Sequence, residues 1–353
     1  MRQHSVILWF VLLVTCRSKE LPDLKMVKNR VTIEFDGQPL RLWVDTGSTR
    51  LLVVGKKSYE DIHDRPCDFT HAPKYTVEYS SFKVLEYVLH KGTLRIGDVE
   101  MPEFVFGIVV NATADGEPVR KPEGQLGLSF GRPDIPVTFL EQLKEHGLMK
   151  SLSFSINPPT WWNREGSLVL GRLSGPQISW KFTSIVDRPD YPFEKFFVRV
   201  SAIRVISDGS PIMSMTPKRD TAFVDSGNDL IRVPPEVYQH VVAGLDPAQI
   251  AIGRGVIERS DIRYKLPDLE FVIVDGDDDR NSFVLRVSVK DYVVNYPSGK
   301  VAIHVRPSDS LIFFGQPLFG AYSVYFDMEN KKVAFREKAV VRQVSRRQEG
   351  TSV

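Results

Sequence analysis

Three features of the sequence predict an all-β chain folded as two equivalent lobes. β-branched residues far outnumber alanine, apolar runs alternate with polar positions around Asp-Gly turns, and one set of motifs occurs twice. Valine occurs 43 times and alanine 12 times in 353 residues; valine suits a pleated, half-buried surface, whereas alanine favours helix. At ~150 residues per domain, this length allows two hydrophobic cores. A composition of 42% hydrophobic and 25% charged residues is globular and excludes disordered or collagen-like chains. With 46 basic against 44 acidic residues the net charge is only +2, which lacks the basic footprint of a nucleic-acid binder.

The N-terminus begins with a charged stretch containing Arg2, followed by an apolar run from Val6 to Cys16. That run is too short for a bilayer, which needs ~20 apolar residues, and fits a secretory signal over 1–18. The chain is therefore expected to lack a stable membrane span and to be secreted or held in the secretory pathway or an acidic vesicle lumen. Cys16 and Cys67 are too few for a disulfide framework or a cysteine zinc site. Signal cleavage leaves Cys67 as the only thiol, expected to be buried and inert.

Val31 to Phe35 and Leu40 to Val44 flank Asp36-Gly37, whose residues supply the positive φ of a tight hairpin. The second strand runs into Asp45-Thr46-Gly47-Ser48, a polar loop at its end. Later, Phe197–Val200 and Ala202–Ile206 precede Asp208-Gly209, and Thr221–Val224 leads into Asp225-Ser226-Gly227-Asn228. Each half also places an apolar pair or its equivalent before glycine, Gln125-Leu126-Gly127 and Phe313-Phe314-Gly315. A repeat of this length indicates duplicated lobes. The division is expected at 19–189 and 190–338, with a basic polar tail over 339–353. Two helices are predicted: Thr138 to His146, stopped by Gly147, and Pro234 to Val242, opened by prolines. The remainder reads as strands and turns.

The paired Asp-Thr/Ser-Gly loops carry the chemistry. Two carboxyls brought together across a lobe interface cannot both ionise cheaply, so they share one proton. The ionised member is then a general base on water, and the protonated member polarises a carbonyl, giving amide hydrolysis without metal or covalent nucleophile. Gly47 and Gly227 let backbone amides approach the carboxylates, and the hydroxyls of Thr46 and Ser226 can bond across the interface.

These residues resemble the pepsin-like aspartic proteases over roughly residues 25 to 338. The matching segments are Val44–Ser48, Val224–Gly227, Gly124–Leu128, Phe313–Gly315, the helix after Pro136, the hairpin segment Gly166–Gly171, and Phe319–Asp327 within Gly315–Arg336. The resemblance implies two pseudo-symmetric β-barrel-like lobes, an interlobe cleft and few short helices. It implies an aspartic endopeptidase with Asp45 and Asp225 as the dyad, favoured at acidic pH. It further implies no cofactor or metal, a protein or peptide substrate, and a monomer. Ser48 matches the hydroxyl donor to the first Asp. Tyr79, in Val77 to Phe82, matches the tyrosine of the hairpin that covers substrate, with Tyr75 as competitor.

The sequence departs from the family pattern at several places. Asn228 stands where a Thr or Ser is usual, with Asp229 beside it as a third carboxylate. The covering hairpin lacks its glycines and is expected to be stiffer. The tryptophan after the first loop is replaced within Leu51–Val54, the family's small disulfide loop has no second cysteine after Cys67, and no inhibitory prosegment is expected before Asp45. These departures give a second expectation, a catalytically inactive module that binds protein or peptide.

Competing motifs are weaker. Gly127-Leu128-Ser129-Phe130-Gly131 matches the Gly-x-Ser-x-Gly elbow of serine hydrolases, with His240 or His304 downstream, but that elbow needs a parallel sheet with crossover helices. No His-Glu-x-x-His is present. Asp275–Asp279 resembles a calcium loop but has Arg286 at the twelfth position instead of Glu, and is read as a hairpin tip. Asn111-Ala112-Thr113 is a glycosylation acceptor if the chain is exported.

Overall fold

The computed structural model describes residues 20–338 apart from 65, 80–82, 134, 159–164, 246–255, 259–265, 277 and 296–299, and without the side chains of 256–258 and 278–280. The expected signal (1–18), the basic tail (339–353) and the tip of the Tyr79 hairpin (80–82) lie outside the described residues.

The alternating runs become half-buried strands. In Arg30–Phe35 the side chains of Val31, Ile33 and Phe35 face the core, and in Gln38–Asp45 those of Leu40, Leu42 and Val44 do so. Asp36 and Gly37 join them with φ of 48° and 81°, the twist that suits a two-residue hairpin. The second Asp-Gly turn repeats this between Phe197–Ser207 and Ser210–Met215, with φ of 49° at Asp208 and 79° at Gly209. Around the acidic run, the strands Asp268–Asp275 and Asp278–Val287 pair antiparallel as a hairpin.

The two halves share one arrangement around their loops. Gln38–Asp45 lies parallel to Gly124–Gly127, with Asp45 opposite Gly127, and the returning strand Leu51–Gly55 runs antiparallel on the other side of that segment. In the second half Thr221–Val224 lies parallel to Ile312–Phe314, with Ile231–Val233 antiparallel on its far side. The duplicated motifs therefore mark the same structural position twice. The fold is all-β and bilobal, as the repeat predicts.

A 14-stranded sheet contains the first half, and an 8-stranded sheet most of the second. The larger sheet also takes in Tyr322–Asp327 and Lys332–Glu337 from the end of the chain: Phe154 pairs with Phe326 and Ile156 with Val324. Phe154 stacks on Phe326 at 4.7 Å between ring centres, and Phe196 lies 4.6 Å from Phe326. The C-terminal strands thus tie both halves into one apolar core.

The predicted helices are present as Phe139–Glu145 and Pro235–Val242. Thr138 caps the first through a reciprocal box with Glu141. The expectation of only two helices is corrected by Lys56–His63, Val289–Tyr292 and Gln316–Ala321. The first of these begins after Gly55 without a side-chain cap and is held by burial of Tyr59, a tertiary cause that local sequence does not display. Cys67 is half-buried against the core, more open than expected.

Candidate active site

Each acid sits where an apolar strand ends. Val44 and Val224 are fully buried, so their strands are fixed, and Asp45 and Asp225 emerge at the ends. The next residues lock the loops together. Thr46 Oγ1 donates to Val224 O at 3.0 Å and accepts from Ser226 N at 2.9 Å, while Ser226 Oγ donates to Val44 O at 2.9 Å and accepts from Thr46 N at 3.1 Å. These reciprocal bonds join residues 180 positions apart. Both side chains are wholly buried, where an unpaired hydroxyl is costly.

Asn29 adds a further tie, its Nδ2 donating to Val44 O at 2.9 Å and Ser226 O at 2.8 Å. Gln316 donates to Ser226 O as well. Neither residue belongs to the loop motifs, and the sequence reading missed both. A Lys28-Asn29 turn, with φ of 50° and 57°, was the available signal for Asn29, because asparagine tolerates that backbone.

The loops bring the carboxyls together. A Cβ on Gly47 would lie within 2.9 Å of Oδ1, Cγ and Oδ2 of Asp225, and a Cβ on Gly227 would meet the Asp45 carboxyl in the same way. Only glycine fits between these loops. Asp45 accepts from Gly47 N at 2.8 Å, Ser48 Oγ at 2.7 Å and Gln125 Nε2 at 2.7 Å. Asp225 accepts from Gly227 N at 2.9 Å and is in hydrogen-bonding contact with Asp45. Asp225 is half-buried, with Gly47 of the opposite loop packed against its carboxyl. Burial first, and the charge of Asp45 second, push it up to about 8 against the opposing effects of Gly227 N and Lys195.

Asn228 departs from Ser48 in geometry as well as identity. Its Oδ1 accepts from Leu230 N at 3.0 Å, and no side-chain hydroxyl among the described residues reaches Asp225 as Ser48 reaches Asp45. Asp229 is exposed and lines a separate cavity of about 260 Å³ with Lys28, Trp43 and Gln316.

Tyr79 follows the strand Lys74–Glu78, which pairs with Lys83–Ile96 as the hairpin reading required. Its hydroxyl donates to Gln125 Oε1 at 2.5 Å, and Gln125 passes on to Asp45. Burial and the charge of Asp45 raise the phenol, so it stays a protonated donor. Tyr75 instead stacks on Tyr87, 5.5 Å between ring centres. Gln125 was read from sequence only as part of the motif before Gly127; its polar side chain in an otherwise apolar segment was the visible signal.

Lys195 was not anticipated either. Its Nζ donates to Gly47 O at 2.5 Å, and burial lowers its proton affinity while Asp45 and Asp225 raise it. Ser129, the serine of the competing elbow, is buried with no hydrogen-bond partner for its hydroxyl among the described residues. It lies on no strand-to-helix turn, the next helix beginning at Phe139, while His240 and His304 bond to the carbonyls of Glu236 and Asp229. Asn111 is exposed on Val99–Ala114.

Two β lobes that present matching Asp-Thr/Ser-Gly loops at a common interface are the architecture of the pepsin-like acid proteases. The chain belongs to the eukaryotic aspartyl protease family, whose model matches residues 28–338, nearly the whole chain. No curated protein matches it. No helix among the described residues is long and apolar enough to cross a membrane.

Proposed function

We propose that the protein is an aspartic endopeptidase that cleaves internal peptide bonds of proteins or peptides, with Asp45 and Asp225 sharing one proton. The observation that carries this reading is the reciprocal lodging of each carboxyl against the glycine of the opposite loop. Three donors converge on Asp45, whereas one backbone amide reaches Asp225. That asymmetry supports charge on Asp45 and the proton on Asp225.

A water held between them gives a proton to Asp45 as its oxygen adds to the scissile carbonyl carbon, and Asp225 protonates the carbonyl oxygen. The neutral diol then collapses: Asp45 returns its proton to the amide nitrogen, Asp225 takes one from a diol hydroxyl, and the C–N bond breaks. The dyad ends as it began, and no cofactor takes part. Tyr79 covers the substrate from its hairpin. Thr46, Gly47, Ser48, Ser226 and Gly227 fix the acids; Asn228 shapes the second loop through Leu230. The N-terminal apolar run supports export, with Asn111 open to glycosylation and the enzyme acting as a monomer.

The enzyme needs one proton on the pair, so acidic conditions suffice. The raised affinity of Asp225 extends the working range toward neutral pH, with the alkaline limb near pH 8. Purified protein incubated with an unfolded protein from pH 3 to 9 is expected to cleave it, and Asp45→Asn and Asp225→Asn are each expected to abolish cleavage. Cleavage that survives either substitution removes the dyad from the mechanism.

A second reading, an inactive module that holds a peptide or protein partner, is favoured by the Asn228 carbonyl engaged on Leu230 N, which leaves Asp225 without a hydroxyl donor. Tight binding of a peptide-like transition-state analogue with no cleavage at any pH selects this reading.

A further inference from the structure

The cavity beside the second loop carries two charges that the fold does not use. Lys28 and Asn29 form the turn between the strands Leu24–Val27 and Arg30–Phe35. Lys28 is exposed and lines a cavity of about 260 Å³ that Asp229, also exposed, lines as well. Among the described residues neither side chain has a hydrogen bond or an ion pair, either with the other or with a third group. Neighbouring charges on the adjoining strands are matched: Lys25 with Glu165 at 2.5 Å, and Arg30 with Glu123 at 2.7 Å.

The other walls are held in place and offer recognition of their own. Trp43 is half-buried, and the Arg30 guanidinium stands 4.5 Å from its ring centre without lining the cavity. One side of the indole is thereby clamped by a cation, and the cavity meets the rest. Asn29 and Gln316 also line it. Asn29 Nδ2 is spent on Val44 O and Ser226 O, and Gln316 Nε2 donates to Ser226 O. Their amide oxygens accept no bond from the described residues, and Asn29 Oδ1 is not sealed inside the protein although the residue is buried. An amide oxygen is an acceptor only, so both call for a donor from outside.

We propose that this cavity binds a short peptide with both ends free: its carboxylate on Lys28, its ammonium on Asp229, an amide N–H on Asn29 Oδ1 or Gln316 Oε1, and an apolar side chain against Trp43. The volume falls just below the ~300–1,000 Å³ usual for ligand pockets, which limits the ligand to two or three residues. A single amino acid is a poorer match, because its two charges sit one carbon apart whereas Lys28 and Asp229 stand too far apart to pair with each other. The site goes beyond the endopeptidase reading and does not require an active dyad.

The purified protein is titrated at pH 7 with alanylphenylalanine, with its N-acetyl and C-amide forms, and with phenylalanine. Binding is followed by calorimetry and by the Trp43 indole N–H signal in NMR, assigned by its loss in Trp43→Phe. The free dipeptide is expected to bind with a Kd of about 1 mM or tighter and to move the Trp43 signal. Each capped form is expected to bind about 3-fold or more weakly, the upper part of what an exposed ion pair supplies. Lys28→Met is expected to bind the free and amide forms equally while still preferring free over acetyl, and Asp229→Asn the reverse. Both residues are exposed, so these variants read recognition rather than folding. An unmoved Trp43 signal up to about 10 mM dipeptide, equal binding of free and capped forms, discrimination retained in the variants, or tighter binding of phenylalanine than of the dipeptide overturns the site.

Discussion

Gln125 stands between Tyr79 and Asp45, accepting from the phenol and donating to the carboxylate. A hydrogen bond to a charged group contributes about 1.5–3 kcal/mol, so Gln125→Met, similar in volume but without donor or acceptor, is expected to lower kcat by about 10- to 100-fold with a smaller change in KM. An unchanged kcat in Gln125→Met would count against this role. The residues legible in the sequence, Asp45, Ser48 and Asp225, act within four-residue motifs whose spacing is local. Those missed act over long separations: 80 positions for Gln125 to Asp45, 148 for Lys195 to Gly47, and 197 for Asn29 to Ser226. Nothing in the local pattern of a buried strand or a turn says which distant carboxylate or carbonyl its amide will meet.

Among elements, the two loops behave as one unit because Thr46 and Ser226 make four hydrogen bonds across the interface, two with each other and two to Val224 O and Val44 O. Thr46→Val keeps the shape and removes the hydroxyl, leaving the amide of Ser226 and the carbonyl of Val224 without that partner inside the protein. At about 1–3 kcal/mol for each of these two buried groups left unsatisfied, the cost is expected to be roughly 2–6 kcal/mol in denaturant unfolding, while Thr46→Ser recovers most of it. A Thr46→Val protein as stable as the wild type would mean that the loops do not depend on this exchange. Helices show why some elements were legible and others not. Phe139–Glu145 announces itself through Thr138 and Glu141, a capping box that a sequence displays. Lys56–His63 has no such cap; it is fixed by Tyr59, buried and bonded to Asp36 in the first hairpin turn. Burial works to raise the Asp36 carboxyl, but its bonds from Tyr59, Thr93 N and His90 outweigh this and hold it low. The turn was visible in Asp36-Gly37, and its second role as an anchor for a helix was not.

For the molecule as a whole, alternation identified strands but not their partners, because period-two patterning fixes which face is buried and leaves pairing open. The return of Tyr322–Asp327 to Ser153–Asn157 is a consequence of packing between distant segments. Bringing the halves together also buries the dyad, and this has a cost that depends on pH. Asp225 is held above its ordinary range chiefly by burial, so the folded protein keeps a proton that the unfolded chain releases near its unperturbed value of ~3.9. A group with a raised folded pKa makes stability fall as pH rises between those two values, by up to about 1.4 kcal/mol per unit, and has no further effect above them. Asp225→Asn cannot ionise and escapes that loss. It is expected to melt at a higher temperature than the wild type at pH 7, with the difference shrinking toward zero as the pH is lowered to 4. Parallel stability curves for the two proteins from pH 4 to 8 would mean that Asp225 ionises as freely in the fold as outside it, and the enclosed, proton-sharing pair would be lost with it.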